Sequence, residues 1–287
     1  MLTTNAARLR LVAAAVLFST GGAAIKATTL TAWQVAGFRS GVAALALFLL
    51  LPESRRGWNW RALPVGIAYA ATLLLFVLAN KLTTSANTIF LQSTSPLYIL
   101  ILSPILLGER IRFRDVVFMG AVGIGLAMFF VQREAPLATA PDPVLGNILA
   151  AVSGLTWAFT VIGLRWLGGH GGNDNPFPAM VTGNLLACLV ALPLALPVQQ
   201  STPLDWVVVV VLGVFQIGLA YMLLARGIRH VRALEASVLL LVEPALNPFW
   251  SWIVHGETPG LWALGGAALI FGATVLRTWH ESRLAPA

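Results

Sequence analysis

Charge is scarce in this sequence: only 10% of its 287 residues are charged, while 58% are hydrophobic. A soluble domain carries charge on about a quarter of its residues, so a chain with so few charges is not a soluble globular protein. The same composition excludes intrinsic disorder, because disordered chains are rich in charge and poor in apolar side chains. Cys188 is the single cysteine, which excludes a disulfide framework and any metal site built from several cysteines.

The sequence also lacks the short motifs that would indicate an enzyme or a channel. It contains no G-x-S-x-G nucleophile elbow, no H-E-x-x-H metal motif and no selectivity-filter signature or ring of acidic residues. Residues 168–172 are glycine-rich, but they follow a predicted helix and lack the lysine of a phosphate-binding loop, so we interpret them as a flexible loop. We expect no metal site and no cofactor, because the histidines are scattered near the ends of hydrophobic runs: His170, His230, His255 and His280.

The sequence is rich instead in hydrophobic runs long enough to cross a membrane, which takes roughly 20 apolar residues for a helix. The runs are continuously apolar, whereas the strands of a membrane barrel alternate between apolar and polar residues. The sequence therefore predicts an all-α membrane protein with ten transmembrane helices and short loops. The predicted spans are residues 9–27, 32–51, 62–80, 86–107, 115–132, 144–164, 177–197, 205–225, 235–254 and 260–277.

The basic residues predict how the spans are oriented, because cytoplasmic loops are enriched in Lys and Arg. Of the 18 basic residues, only Lys26, Lys81 and Arg133 fall on one side of the predicted spans, and Arg39 falls inside a span. All the others lie on the opposite side, so we expect both termini in the cytoplasm and the chain in a bacterial inner membrane. The net charge of +7 is spread over many short loops, which argues against a nucleic-acid partner.

Two distant parts of the chain carry the same pattern. Ser95-Pro96 and Gly108-Glu109 are followed 148 residues later by Glu243-Pro244 and Gly256-Glu257. The chain therefore divides into a first five-helix repeat at residues 1–132, a linker at 133–143 and a second five-helix repeat at 144–287. Because five is odd, the second repeat enters the membrane from the opposite side, which gives the inverted architecture of many secondary transporters.

These features resemble the drug/metabolite transporter superfamily, in its EamA-type branch. The resemblance rests on the ten spans in two halves, on the paired prolines and Gly-Glu motifs, and on short motifs in the first half. Those motifs are Ser19-Thr20, Ile25-Lys26, Phe38-Arg39 and Leu107-Gly108-Glu109-Arg110. The resemblance implies an exporter whose cavity is lined by helices 1, 3, 4, 6, 8 and 9. Residues 18–22, Phe-Ser-Thr-Gly-Gly, are similar to the YddG-like amino-acid exporters.

Prolines interrupt spans four and nine at matching positions, and such interrupted helices indicate the binding site of an inverted-repeat carrier. Proline displaces a backbone carbonyl one turn earlier, and at membrane depth that group needs protein or a watery cavity beside it. We therefore expect helix kinks at Pro96, Pro104, Pro244 and Pro248. Helical spacing places one stripe on each of these spans: Gln92, Ser95, Ile99 and Leu102 on span four, and Leu240, Glu243, Asn247 and Trp250 on span nine.

Polar and aromatic side chains form similar stripes on other spans, and together they predict a polar cavity. Span one contributes the stripe Ser19, Gly22, Ala23 and Lys26. Hydroxyl groups also bond between membrane helices or to their own backbone, and for any single hydroxyl this structural role is the alternative. The candidate substrate-binding residues are Ser19, Tyr69, Thr72, Phe76, Gln92, Ser95, Tyr98, Ser153, Thr156, Trp157, Thr160, Gln216, Glu243 and Asn247.

Two ionisable residues, Arg39 in span two and Glu243 in span nine, fall inside predicted spans. A charge is costly at that depth and marks a functional site by default. The two could neutralise each other or bond to carbonyls beside the prolines, and Glu243 could instead contact substrate or carry a proton. Lys26 and Lys81, near the outer ends of their spans, could hold a substrate carboxylate, but we expect them to flank the bilayer.

The sequence as a whole predicts a secondary transporter that exports small metabolites by alternating access around a central cavity, with aromatic and other neutral amino acids as leading substrates. The alternatives are a sugar-phosphate or nucleotide-sugar exchanger and an exporter of hydrophobic cations, and an intramembrane enzyme is the rival class. A phosphate site usually takes clustered Arg or Lys, whereas only Arg39 lies deep in the predicted bundle. The expected partners are the small-molecule substrate and the lipid bilayer, and glycine-rich faces on spans five and ten leave the oligomeric state open.

Overall fold

The computed structural model describes residues 4–106, 113–131, 136–168, 175–228, 239–240 and 242–284. A helix lies at each of the ten predicted spans, and these ranges contain no named strand. Among the described residues, six helices are long and apolar enough to cross a membrane. The prediction of an all-α membrane protein is therefore confirmed.

We number the helices by span. The first repeat contains α1 (Thr4–Ser19 and Gly21–Lys26), α2 (Ala32–Leu50), α3 (Ala62–Leu82), α4 (Ser85–Gln92 and Ser95–Leu106) and α5 (Phe113–Met128). The second repeat contains α6 (Pro143–Gly168), α7 (Phe177–Ala195), α8 (Pro203–Val211, Leu212–Leu219 and Ala220–Ile228), α9 (Val242–His255) and α10 (Leu261–Leu284). The predicted start of span nine, at residues 235–238, and the Gly108-Glu109 motif lie outside the described residues.

Polar residues between the apolar runs set where several helices begin. Thr31 caps α2 with a capping box, because its Oγ1 accepts from Gln34 N at 3.3 Å while Gln34 Oε1 accepts from Thr31 N at 3.0 Å. Thr202 and Asp205 form the same box at the start of α8. Asp205 also accepts two hydrogen bonds from Thr29, at 2.8 and 2.6 Å, so the loop after α1 is tied to α8.

Pro96 of α4 lies beside a complete break in the helix. The first segment ends at Gln92 and the second begins at Ser95, so Pro96 is the second residue of a new helix, where its missing N–H is not needed. The other three prolines do not end a helix: Pro104 lies inside the second segment of α4, and Pro244 and Pro248 lie inside α9. A complete interruption is seen at Pro96, and the kinks at Pro104, Pro244 and Pro248 stay predictions.

α8 contains a π-helical segment, Leu212–Leu219, although it has no internal proline. Gly213 lies in this segment against α2, and a Cβ atom there would come within 2.7 Å of the carbonyl oxygen of Arg39. The two backbones therefore approach as closely as only glycine allows. Local π-bulges of this kind are often found at functional sites, and this one carries Gln216.

Equivalent helices of the two repeats pack against each other in antiparallel orientation. Along α2, Gly37 faces Ala191 whereas Gly41 faces Cys188, so α2 and α7 run in opposite directions. Likewise, Gly125 of α5 faces Ile270 of α10, whereas Met128 faces Gly265. In the second repeat α8 is the equivalent of α3, and α6 is the equivalent of α1. The contacts between α3 and α6 are accordingly repeated between α8 and α1, as a pseudo-two-fold axis in the membrane plane requires. The arrangement is that of two inverted five-helix repeats.

Candidate functional site

A central cavity of about 290 Å³ lies between the two repeats, bounded by α1, α2, α3, α4, α6, α8, α9 and α10. This volume is near the lower end of the range for small-molecule sites. The polar side chains at its wall are Arg39, Thr72, Gln92, Ser93, Ser95, Gln216, Glu243 and Thr274. The aromatic side chains at its wall are Phe18, Phe76, Phe90, Trp157, Tyr221 and Phe271.

Arg39 places a guanidinium in this cavity with only 1% of the residue exposed. Its Nη1 donates to Gln216 Oε1 at 3.4 Å and its Nη2 donates to the carbonyl oxygen of Leu73 at 3.2 Å. Its Nε has no hydrogen-bond partner among the described residues. Both partners are neutral, so the described part of the chain offers this cation no counter-ion.

Glu243 brings a carboxylate to the same cavity from the first turn of α9. Within the described ranges it makes no hydrogen bond and no ion pair, and in particular none with Arg39. The structure therefore contains no direct ion pair between Arg39 and Glu243, although mutual neutralisation was one of the roles that the sequence left open. The cavity wall carries one basic and one acidic side chain that are not paired with each other.

Tyr221 lies at the centre of an aromatic group beside the cavity. Its ring centroid is 4.9 Å from that of Phe18, 5.3 Å from that of Tyr69 and 6.4 Å from that of Trp157, all in edge-to-face geometry. The sequence analysis missed Tyr221. Tyr221 follows Gln216 by five residues, and two residues at that spacing share a face only in a π-helix. The stripes were drawn with α-helical spacing, so they did not include Tyr221.

Several predicted polar residues join α3, α4 and α6 beneath the cavity. Gln92 Nε2 donates to Ser153 Oγ at 2.7 Å, and Thr72 Oγ1 bonds Thr156 Oγ1 at 2.9 Å. Thr72 and Gln92 reach the cavity wall, whereas Ser153 and Thr156 do not. Thr160 donates to its own helix at the carbonyl of Thr156 and borders a small separate void. For these α6 hydroxyls, the structural role is the one observed.

The remaining predicted residues lie away from the central cavity. Ser19 accepts a hydrogen bond from Trp250 Nε1 at 3.0 Å, and Asn247 is fully buried between α9 and α1. Tyr69 is buried behind Tyr221, and Tyr98 packs against Gly154 of α6. The predicted stripe of span one therefore faces α9 instead of the cavity.

The structure differs from the sequence prediction in α10 and at two lysines. Phe271 and Thr274 of α10 line the cavity, although the resemblance implied no lining by helix ten. Lys26 does not flank the bilayer as expected, because its Nζ lies 2.7 Å from Glu257 Oε1 in a buried ion pair. Lys81 is partly buried and donates to the carbonyl oxygen of Thr28 at 2.8 Å. In the described part of the chain, no group of three or more His, Cys, Asp or Glu could hold a metal ion.

Comparison with protein families gives two matches, one for each half of the chain. The model of the EamA-like transporter family matches residues 7–131 and again residues 144–279. The first match contains most of α1 and all of α2 to α5, and the second contains most of α6 to α10.

Curated relatives and a solved structure extend the comparison over nearly the whole chain. The pseudopaline exporter CntI of Pseudomonas aeruginosa, in strains UCBPP-PA14 and PAO1, is 26% identical over 272 residues, which cover 92% of this chain and 93% of the relative. An uncharacterized transporter of Archaeoglobus fulgidus is 27% identical over 222 residues, covering 73% of this chain and 77% of that protein. One solved crystal structure superposes with a TM-score of 0.64 at 20% identity, covering 98% of this chain and 99% of that chain, and this likeness shows the shared fold.

Proposed function

Because the chain belongs to the EamA-like transporter family, we propose that this membrane exporter carries small polar metabolites through its central cavity, with neutral and aromatic amino acids as the leading substrates. We infer a bacterial inner membrane with both termini in the cytoplasm, since nearly all loop arginines fall on one side of the spans in the sequence. The end of the bundle with Lys26 and the start of α4 is called the arginine-poor end below, and the opposite end is the arginine-rich end.

The observation that carries the amino-acid proposal is the pair of unlike charges at one cavity wall. A free amino acid is a zwitterion, so its carboxylate could bond Arg39 while its ammonium group bonds Glu243. Each buried charge of the protein would then gain a counter-charge that no described side chain supplies. The aromatic group around Tyr221 offers contact area for an apolar or aromatic side chain.

Alternating access supplies the mechanism of transport. In inverted-repeat carriers, one repeat rocks against the other around a fixed central site. The break in α4 at Ser93 and Thr94 and the π-helical segment of α8 both border the cavity. These irregular segments are suited to absorb the movement, because a few non-helical residues can take up large changes in backbone angles.

The test is flux of labelled amino acids out of proteoliposomes that contain the purified protein. Transport of neutral or aromatic amino acids down their gradient is expected, and no flux for any of the twenty would overturn the amino-acid proposal. Glu243→Gln is expected to lower this flux about tenfold, through loss of a charge-assisted bond. The matched control is Glu53→Gln, because Glu53 is a half-exposed carboxylate paired with Arg226 outside the cavity, and its flux should equal that of the unmodified chain.

The Glu243→Gln variant also distinguishes an amino-acid exporter from an exporter of hydrophobic cations. An exporter of hydrophobic cations would lose all cation extrusion in Glu243→Gln, whereas the amino-acid exporter keeps residual flux. A sugar-phosphate exchanger would need more than one buried basic side chain, and Arg39 is the one that lines the described cavity. Pseudopaline belongs in the same panel of substrates, because a pseudopaline exporter is 26% identical to this chain.

A further inference from the structure

A buried ion pair closes the arginine-poor end of the bundle. Lys26 Nζ lies 2.7 Å from Glu257 Oε1, and the two side chains are only 2% and 3% exposed. Lys26 Nζ also donates to the carbonyl oxygens of Thr83 and Thr139. Glu257 Oε2 accepts from the backbone N–H of Ser85 at 3.0 Å. The ion pair therefore has bonding partners on several sides instead of water.

These contacts hold the two repeats together at one point. Lys26 ends α1 and Ser85 begins α4, both in the first repeat, whereas Glu257 follows α9 in the second. A turn at Gly256, with φ of +67°, directs the chain back from the end of α9, a backbone conformation that favours glycine. Any opening of the bundle at this end has to separate Lys26 from Glu257.

Between this ion pair and the central cavity lies a seam of buried polar side chains. The atoms Ser85 Oγ, Asn247 Oδ1, Asn247 Nδ2 and Ser251 Oγ are buried without a hydrogen-bond partner among the described residues. Gly22 of α1 closes over them, since a Cβ atom there would lie 2.9 Å from Asn247 Oδ1 and from Ser85 Oγ. The backbone of α1 therefore packs tightly against these side chains, which would bond water if it could enter.

The seam is continuous with the cavity along α9. Asn247 follows the cavity residue Glu243 by one turn, and Ser251 follows by another. On the side of α1, Trp250 donates to Ser19 at 3.0 Å and the ring of His255 bonds the carbonyl oxygen of Ala23 at 2.9 Å. A closed path thus runs from the cavity to the Lys26–Glu257 pair.

Two features lower the stability of the closed arginine-poor end: its buried polar atoms without partners and its desolvated ion pair. A buried polar atom without a partner loses its bonds to water and gains none in return, and two buried charges lose hydration that their attraction only partly replaces. Both losses are recovered when the seam fills with water. Both effects favour entry of water at the closed end, as a gate requires.

We propose that the Lys26–Glu257 ion pair is the gate at the arginine-poor end, and that Ser85, Asn247 and Ser251 line the path that polar substrate crosses when this gate opens. The proposal rests on transport through the central cavity, but it does not depend on the substrate being an amino acid. Its test accordingly uses accessibility to a thiol reagent, which requires no substrate.

The experiment places a single cysteine at Ser251 in a background with Cys188→Ala and applies a membrane-impermeant thiol reagent from the arginine-poor side. Lys26→Met and Glu257→Gln, each added separately, are expected to raise the labelling rate at least about fivefold. The charge reversal Lys26→Glu with Glu257→Lys should return the rate toward that of the intact pair. Ser40→Cys is the matched control, because Ser40 is also fully buried but lies in α2, away from the seam, and its labelling should stay low.

Two results would overturn the gate. One is an unchanged labelling rate at position 251 in both single variants that still elute as folded protein. The other is labelling of position 251 only from the arginine-rich side. If the labelling results hold and no amino acid is transported, the substrate proposal fails and the gate stands.

Discussion

At the residue scale, hydrogen bonds to neighbouring residues hold the Arg39 side chain in place. Its guanidinium bonds Gln216 and the backbone of Leu73, and Gln216 in turn lies against α1, where a Cβ atom at Gly21 would be 2.7 Å from its Nε2. A buried cation with neutral partners has a high free energy unless a counter-charge arrives. The position therefore suits the recognition of an anionic group more than it suits packing.

The close contact of α8 with Arg39 gives a prediction on stability. Gly213→Ala would place a Cβ atom 2.7 Å from both the carbonyl oxygen of Arg39 and the side chain of Val42. We expect the free energy of unfolding to fall by about 1–3 kcal/mol, because backbone and a β-branched side chain yield little. Thermal unfolding of the purified protein in detergent measures the loss.

The control for this substitution is Gly120→Ala in α5, where an added Cβ atom meets nothing within 4 Å. Alanine is the better helix former, so this variant should be as stable as the parent or slightly more so. Equal melting temperatures for Gly213→Ala and Gly120→Ala would show that α8 is free to move away from α2.

Helical spacing predicted part of the cavity from the sequence. Thr72, Gln92 and Glu243 were selected as members of polar stripes, and all three reach the cavity wall. Their role in binding substrate stays a prediction. Tyr221 escaped selection because a π-helix changes the spacing, and Asn247 was misplaced because a stripe does not reveal which neighbouring helix covers it.

At the element scale, polar bonds fix α4 and α3 to α6. The Gln92–Ser153 bond lies next to the break in α4 and anchors the segment before the break to α6, whereas the Thr72–Thr156 bond ties α3 to the same helix. These bonds hold the first segment of α4 against α3 and α6. Bonds of this kind between membrane helices contribute modestly, about 0.6 kcal/mol on average.

Ser153→Ala tests this anchoring. The substitution leaves the Gln92 amide without its acceptor at 2.7 Å, and we expect the free energy of unfolding to fall by about 0.5–2 kcal/mol. Ser93→Ala is the control of the same chemistry, because Ser93 Oγ bonds only the carbonyl oxygen of Ile89 in its own helix. A melting temperature lowered equally by both variants would contradict a specific role for the α4–α6 bond.

The helices themselves were predictable because their apolar runs are long and their caps are local. The capping boxes at Thr31 and Thr202 depend only on residues within three positions. The breaks were harder to predict, since the interruption of α1 at Thr20 and the π-helical segment of α8 depend on contacts between distant helices. Gly21 and Gly213 allow those contacts, but a glycine alone does not indicate its partner.

At the scale of the whole molecule, the arginine-poor end is closed by more than the Lys26–Glu257 pair. Asp205 joins α8 to Thr29 after α1, and Thr83 bonds Asn147 of α6 at 2.7 Å. The repeat pattern predicted two halves of opposite orientation, and the antiparallel contacts of α2 with α7 agree with it. The repeat pattern does not predict which end is closed, because an inverted repeat carries the same Gly-Glu motif once toward each end of the bundle, at Gly108-Glu109 and at Gly256-Glu257.

The orientation of the whole bundle in the membrane gives the last prediction. The loop between α2 and α3 carries Arg55, Arg56 and Arg61, whereas the loop between α7 and α8 carries no basic residue. Cytoplasmic loops are enriched in such residues, so the first loop should face the cytoplasm and the second the periplasm. In the Cys188→Ala background, Ser201→Cys should react with an impermeant thiol reagent in intact cells, and Asn59→Cys should react only after the membrane is permeabilised. Both positions are exposed, so burial would not explain a difference. The reverse pattern of labelling would place the arginine-poor end, with its proposed gate, in the cytoplasm.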